Sequence, residues 1–416
     1  MTVPVITPSA ASARTSFRAL VRAVDRPFLV LDAAARLPTA MLPLGLLLYV
    51  ADRTGSYATG GLAVAALSVG GGLGGSLVGL AADRFGQRRV GVLVTLVQVL
   101  AVAAFLVLGP ADVLPVTLGL AAVIGLANPQ AGAMARSRWA AIARVRADRR
   151  SFTATAMAWE GTLDEASFVV GPVLVSTVAG VTEPAVGLLL ALVLAAVSQV
   201  GFALHPSALP GHDRTRSAEH VHRTPLPLLR VGGLLIAMSA VGLVFGATQT
   251  GVAARMAAAG TEELTGPVYA AMGVGSAIAG LLTTRLPLAF RLEARIAASG
   301  ALIAVAGLAG ARAHEPGFLA LTCLLLGIAL APALVSSYAL AERAAPQGWA
   351  TTTMTMLGTA NVAGVAAGAA VAGLLVDRAA PGAALLVDAG AGVLVLAAGL
   401  VTLVGACRPG QAVGSG

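Results

Sequence analysis

Gly79-Leu80-Ala81-Ala82-Asp83-Arg84-Phe85-Gly86-Gln87-Arg88-Arg89 places four charges and a glycine turn between two apolar runs, 58–82 and 90–109. Asp83 can accept hydrogen bonds from a helix N-terminus or from an arginine. Gly86 permits a tight turn at a bilayer surface. Arg84, Arg88 and Arg89 hold the segment at one face of that bilayer. Gly79 predicts a close approach of neighbouring helices.

The rest of the chain has the composition such a loop requires. Of 416 residues, 57% are hydrophobic, 50 are glycine and only 11% are charged, against about 25% charged in soluble domains. A soluble chain of this size could not cover its surface, so a water-soluble enzyme, a disordered chain and a nucleic-acid-binding domain are excluded. A window of about 19 residues predicts twelve spans, at 27–50, 58–82, 90–109, 113–135, 152–180, 184–204, 231–254, 267–289, 296–311, 317–341, 351–375 and 382–405. All 27 basic residues are arginine, which we read, with the abundant alanine, as the codon usage of a GC-rich bacterium. With the N-terminus cytoplasmic, Arg53, Arg255, Arg312 and Arg378 fall in outer loops, Arg36 falls within a span, and the other 22 lie on the cytoplasmic side. That asymmetry predicts an even number of spans and both termini inside. The expected organisation is a cytoplasmic tail 1–26, a six-helix bundle 27–204, a cytoplasmic loop 205–230, a second six-helix bundle 231–405 and a tail 406–416. The first span is expected to stay as an anchor. Cys323 and Cys407 are too far apart in sequence to suggest a disulfide framework.

The segment Gly79–Arg89 resembles the signature loop of the major facilitator superfamily. The likeness rests on Gly79, Ala82, Asp83, Arg84, Gly86, Arg88 and Arg89, with departures at Ala81 and Gln87. The six-plus-six layout extends it to the whole chain. It implies an all-α membrane fold of two six-helix halves. It also implies a gating latch between this loop and the start of the eleventh span, here Thr351-Thr352-Thr353. The corresponding loop of the second half, 284–295, lacks the Asp and Gly. Gly171-Pro172 in the fifth span resembles part of the family's antiporter motif without its following glycines, and predicts a helix kink. Proton-coupled relatives carry an arginine in the fourth span. Asn128 stands nearest that position, while Arg136 and Arg138 read as lying at the cytoplasmic edge.

Charges inside the spans are the candidate machinery. Glu160, Asp164 and Glu165 lie in the fifth span, and Asp32 and Arg36 in the first. Each costs on the order of 2.5–3.5 kcal/mol to insert, so they should be paired, protonated or turned inward. Glu160 and Asp164, four apart, share a helix face; Glu165 is rotated by about 100°. Arg36 neutralises Asp32 within its own helix, or lies in the central cavity facing Glu160 or Asp164, or binds an anionic substrate group. Candidate substrate-cavity residues are Asn128, Gln130, Gln249, Ser337, Tyr338 and Asn361. Asp388 falls in the twelfth span, which the resemblance places outside the bundle.

No catalytic motif or metal site is present, and His212, His220 and His222 in 205–230 read as part of a solvated linker. We expect no cofactor, with a proton gradient as the energy source. The partners expected are a small-molecule substrate and the lipid bilayer, not nucleic acid, with the protein a monomer in a bacterial inner or plasma membrane. The function expected is a secondary transporter working by alternating access, as a proton-coupled antiporter for efflux of a small molecule. The alternatives are an uptake permease for a small metabolite and a non-transporting membrane sensor or enzyme.

Overall fold

A computed structural model of the protein describes residues 17–109, 114–211, 228–283, 290–345 and 350–407. Among them there is no strand. Twelve helical spans are long and apolar enough to cross a bilayer: Arg26–Thr54, Tyr57–Phe85, Gln87–Leu108, Leu114–Arg144, Arg149–Val181, Pro184–Leu204, Val231–Ala259, Glu262–Thr283, Leu292–Ala311, Pro316–Ala344, Thr352–Arg378 and Pro381–Val404. The spans read from hydropathy agree with these to within a few residues, except at three places. The fourth runs on to Arg144 and the fifth begins at Arg149, so Arg136 and Arg138 lie on a helix rather than beyond one. Hydropathy registers only the apolar part of a helix, whereas an arginine can lay its stem along a helix end and send its head to water or to a partner. The described part of the eighth span reaches Thr283, and 284–289 lie outside the described residues.

Large apolar side chains cover the outer faces: Val107 is 84% exposed and Leu100 67%. In water such a surface would aggregate, whereas acyl chains solvate it. Inside, one core is built entirely from the second half, with Val231, Met238, Ile303, Leu330 and Val395 among its members. A second, around Met41, Phe105 and Leu188, comes mainly from the first half and takes in Ala253 and Ala369 of the second; a third, around Phe28, Trp139 and Phe202, belongs to the first half alone.

The first and fourth spans are broken, each at a proline. Pro38 has no N–H, so the carbonyl of Ala34 loses its helical donor. The helix Arg26–Ala34 ends there and a second, Leu37–Thr54, begins. The sixth span supplies replacements from a wide π turn at Ala195–Gln199: Ser198 Oγ donates to Ala34 O (3.2 Å) and Gln199 Nε2 to Ala35 O (3.3 Å). In the fourth span Pro129 disfavours helical geometry at Asn128, and the helix stops at Leu126 and restarts at Ala131. Pro172, by contrast, sits within a helix that is continuous from Arg149 to Val181.

Arg26, Arg84, Arg144, Arg149 and Arg343 mark one end of the bundle as basic. The halves pack against each other from mid-depth to the opposite end. A Cβ at Gly266 of the eighth span would lie 2.5 Å from Pro172 O of the fifth, and one at Gly373 of the eleventh would lie 2.2 Å from Tyr57 O of the second. Toward the basic end they part. Thr352, Thr355, Met356 and Thr359 face a cavity of about 510 Å³ beside Leu235. A second cavity, of about 450 Å³, separates Ala158, Thr162 and Glu165 of the fifth span from the eighth and tenth. Gly79 shows the effect: in this conformation a Cβ there would meet no atom within 4 Å. The close helix contact expected at Gly79 is therefore absent where the halves have separated.

Candidate functional site: a charge cluster at the helix breaks

Arg36 occupies the break in the first span, ten residues and therefore about 15 Å from its basic end, near the middle of a bilayer. Freed from a regular helical turn, its guanidinium reaches in three directions. It donates to Asp32 Oδ1 (2.6 Å) and Asp32 O (2.8 Å) one turn earlier, to Asp164 Oδ1 (2.8 Å) and to Glu160 Oε2. Of the readings open from the sequence, pairing with Asp32 and pairing across the cavity are both realised. Glu160 and Asp164 share a face of the fifth span, as their spacing predicts, and that face meets the broken helix.

Two further donors complete the cluster. Trp139 Nε1 donates to Glu160 Oε1 (2.7 Å), and Arg136 donates to Asp164 Oδ2. Both come from the part of the fourth span beyond its break. Gly132 gives them room, since a Cβ there would lie 3.3 Å from both Arg36 and Asp164 and 3.4 Å from Arg136. Asp32 and Glu160 are fully buried and Arg36 nearly so, whereas Asp164 is 32% and Arg136 41% exposed. Three carboxyls thus meet two guanidinium groups, with the water-facing pair on the outside. Asp32 Oδ2, sealed from solvent, receives no donor, and Asp32 and Glu160 lie within coulombic reach of each other.

Arg136 corrects the reading in which the fourth span offers no arginine and Asn128 stands in its place. The signal was available: Arg136 and Trp139 are three apart, one helical turn, but the hydropathy window closed at residue 135. Asn128 accepts from Thr39 Oγ1 (2.8 Å), tying the two breaks together. Gln130 donates to Asn128 O (3.3 Å).

Other candidates lie elsewhere. Glu165 is exposed on the cavity between the fifth, eighth and tenth spans, apart from the cluster. Gly171 packs on the first span, with an added Cβ only 2.7 Å from that of Ala40. In the second half, Ser337 is fully buried and Gln249 is 6% exposed, so neither lines the open cavity. Asn361 spends its amide on Met238 O (3.3 Å) of the seventh span. Tyr338 is half-buried, its hydroxyl near Gly358. Asp388 is fully buried and accepts from Thr248 Oγ1 (3.0 Å), inside the second bundle rather than on its outer surface.

The signature loop has a partner that the sequence did not suggest. Gly86 turns at φ +91°, and Gln87, read as a mere departure, is buried. Its Oε1 accepts from Arg138 Nε (2.8 Å) and its backbone N–H donates to Leu209 O (3.0 Å). Arg138, 1% exposed, also donates to Phe202 O (3.0 Å) and Ser207 Oγ (3.1 Å) and lies over the Phe202 ring at 3.8 Å. His205 reaches Asp25 (3.2 Å). Residues 205–211, expected as free linker, therefore strap the loop. Arg88 donates to Leu204 O (3.2 Å), while Asp83, Arg84 and Arg89 are exposed. His212, His220 and His222 lie outside the described residues.

A twelve-span bundle with a buried charge cluster at paired helix breaks, open at one end, has the architecture of a membrane transporter. The chain belongs to the Major Facilitator Superfamily, whose family model matches residues 31–369. Its fold is similar to that of the nucleoside transporter NupG (14% identity, 91% of this chain and 99% of that one, TM-score 0.72). It is also similar to the POT family transporter PepTSo (11% identity, 91% and 97%, TM-score 0.67). A third likeness is to a bacterial homologue of the iron transporter ferroportin in an inward-facing state (17% identity, 94% and 100%, TM-score 0.67). No curated protein matches the chain. The protein is a multi-pass membrane transporter of the secondary class, not an enzyme, and its substrate is a small molecule.

Proposed function

We propose that this protein is a proton-coupled exporter of a small organic solute, working by alternating access as a monomer in a bacterial inner or plasma membrane with its basic end in the cytoplasm. The 22 arginines on that side support the orientation. With the basic end inside, the conformation is one open to the cytoplasm, and Asp83 in the signature loop is the group expected to latch that end when it closes.

The observation that carries proton coupling is the cluster's charge. Three carboxyls and two guanidiniums leave one negative charge uncompensated in a region of low dielectric, where an unpaired charge is costly. One proton cancels it. Asp164 and Arg136, partly exposed to the cavity, offer the entry. Asp32 Oδ2, with no donor and Glu160 beside it, offers a place where a carboxyl proton makes a new hydrogen bond. No bound cofactor is required. Outward transport rests on less: the partial likeness at Gly171-Pro172 and the membrane-embedded acids.

Proteoliposomes test the coupling. With a pH gradient imposed and a panel of candidate solutes, Glu160→Gln and Asp164→Asn are each expected to abolish gradient-driven flux while leaving solute exchange intact. Gradient-driven flux retained in both variants would remove the cluster from coupling. Flux into the proton-richer compartment supports export; flux in the same direction as protons favours the uptake permease.

A further inference from the structure

At the end opposite the basic one, the second span begins at Tyr57 with unsatisfied N–H groups, as every helix does. Ser56 Oγ accepts from Thr59 N–H (3.1 Å), a cap supplied within the same chain turn. The other two donors of that turn are taken from across the molecule. Asp377, in the last turn of the eleventh span, accepts from Tyr57 N–H (2.9 Å), from Ala58 N–H (3.1 Å) and from Ser56 Oγ (2.6 Å). Nothing in its own helix accounts for a carboxylate here, since a helix C-terminus disfavours negative charge and a helix N-terminus favours it. Gly373, one turn earlier on the same face, allows the approach, because a Cβ there would overlap Tyr57 O. Tyr57 also donates its hydroxyl to Ala253 O (3.4 Å) of the seventh span. One residue of the first half is thus held by two spans of the second.

We infer that Asp377 is a latch: its carboxylate caps a helix of the other half, closes the end of the protein opposite the basic one, and sets the ratio of closed to open states at that end during transport. All three bonds converge on a single side chain, so separation of the second and eleventh spans breaks them together. The donor residues are half-buried and their bonds lie at the surface, so water replaces the carboxylate once the spans part. The net effect is therefore that of a helix cap, about fivefold in the closed-to-open ratio rather than many orders of magnitude. A latch of that strength holds the closed state without trapping it. Asp377 is a positioning residue and is not in contact with the charge cluster.

The inference rests on alternating access, and its test separates the two. In full-length protein in lipid nanodiscs, with Cys407 replaced by Ser, spin labels at Thr182 and Ala259 report the distance between the halves at this end. Wild type is expected to show a short and a long population. Asp377→Ala should raise the long-to-short ratio about fivefold. Asp377→Asn keeps an acceptor and loses the charge, and should raise the ratio about twofold. Asp25→Ala is the control, because Asp25 caps the first span within its own half (Phe28 N–H to Oδ1, 3.1 Å). It should lower the melting temperature and leave the ratio unchanged. An unchanged ratio in Asp377→Ala, or a shift matched by Asp25→Ala, overturns the latch. If Asp377→Ala does not fold, an unchanged ratio in Asp377→Asn does the same. A wild type with one distance under all conditions overturns alternating access itself, and the latch with it.

Discussion

Replacing Arg36 by Ala exposes the energetics of the cluster. Asp32 and Glu160 have no exposed surface and share this one guanidinium, whereas Asp164 is 32% exposed and keeps Arg136. The loss therefore falls on the two sealed carboxyls. Glu160 retains Trp139 as a donor, and Asp32 retains none among the side chains. Removing one partner of a buried ion pair costs about 3–5 kcal/mol, because the remaining charge stays buried. Two stranded carboxyls place Arg36→Ala toward the upper end. At roughly 2 °C per kcal/mol for a long chain, melting at pH 8 should fall by about 8–10 °C. Acid protonates the stranded groups and removes the charge, so the deficit should shrink at pH 5. Cys323 is buried in the second-half core, so its reaction with a thiol-reactive fluorophore follows unfolding, once Cys407 is replaced by Ser. Arg36→Ala combined with Glu160→Gln should recover part of the loss, since contacting sites are not additive. Equal melting of Arg36→Ala and wild type at both pH values would refute the electrostatic coupling on which the proposed proton site depends.

Two further outcomes follow from packing. Gly373→Val places a branched side chain where a Cβ already lies 2.2 Å from Tyr57 O; the Thr182–Ala259 label pair should then show mainly the long distance, and a normal short population would mean that the helices do not approach as described. Gln87→Ala leaves the buried Arg138 Nε without its acceptor, although Phe202 O and Ser207 Oγ still hold the guanidinium, and removes a side-chain acceptor near Leu209. It should cost about 1.5–3 kcal/mol and speed amide hydrogen exchange over 205–211. Unchanged exchange there would show that Gln87 does not hold the strap.

How much of this was legible in the linear chain varied with the range of the interaction. Asp32 and Arg36, and Glu160 and Asp164, are pairs four residues apart, and helical periodicity alone puts each on one face. That the two faces meet was a stated alternative. Arg136 escaped because hydropathy treats an arginine as the end of a span, although its neighbour Trp139 on the next turn belongs to the same site. Ser337 and Gln249 illustrate the opposite failure: a polar residue in an apolar helix has no sequence mark that tells a cavity wall from a helix–helix contact. Asp377 was not singled out in the linear chain, since its partners at Ser56, Tyr57 and Ala58 are more than 300 residues away.

The membrane-embedded all-helical character, the twelve spans and the family were set by short-range properties: apolar run length against bilayer thickness, the one-sided placement of arginine, and the residue order between Gly79 and Arg89. The breaks at Pro38 and Pro129 begin from a local cause, the missing proline N–H, but Pro43 and Pro172 leave their helices continuous, so the proline alone does not fix a break. Which carboxyl pairs with which arginine, which end of the bundle is shut, and which stretch of the central segment lies on the signature loop were decided only when the helices packed. Those outcomes depend on distances between side chains far apart in the chain, and on which partner remains within hydrogen-bonding reach once water is excluded.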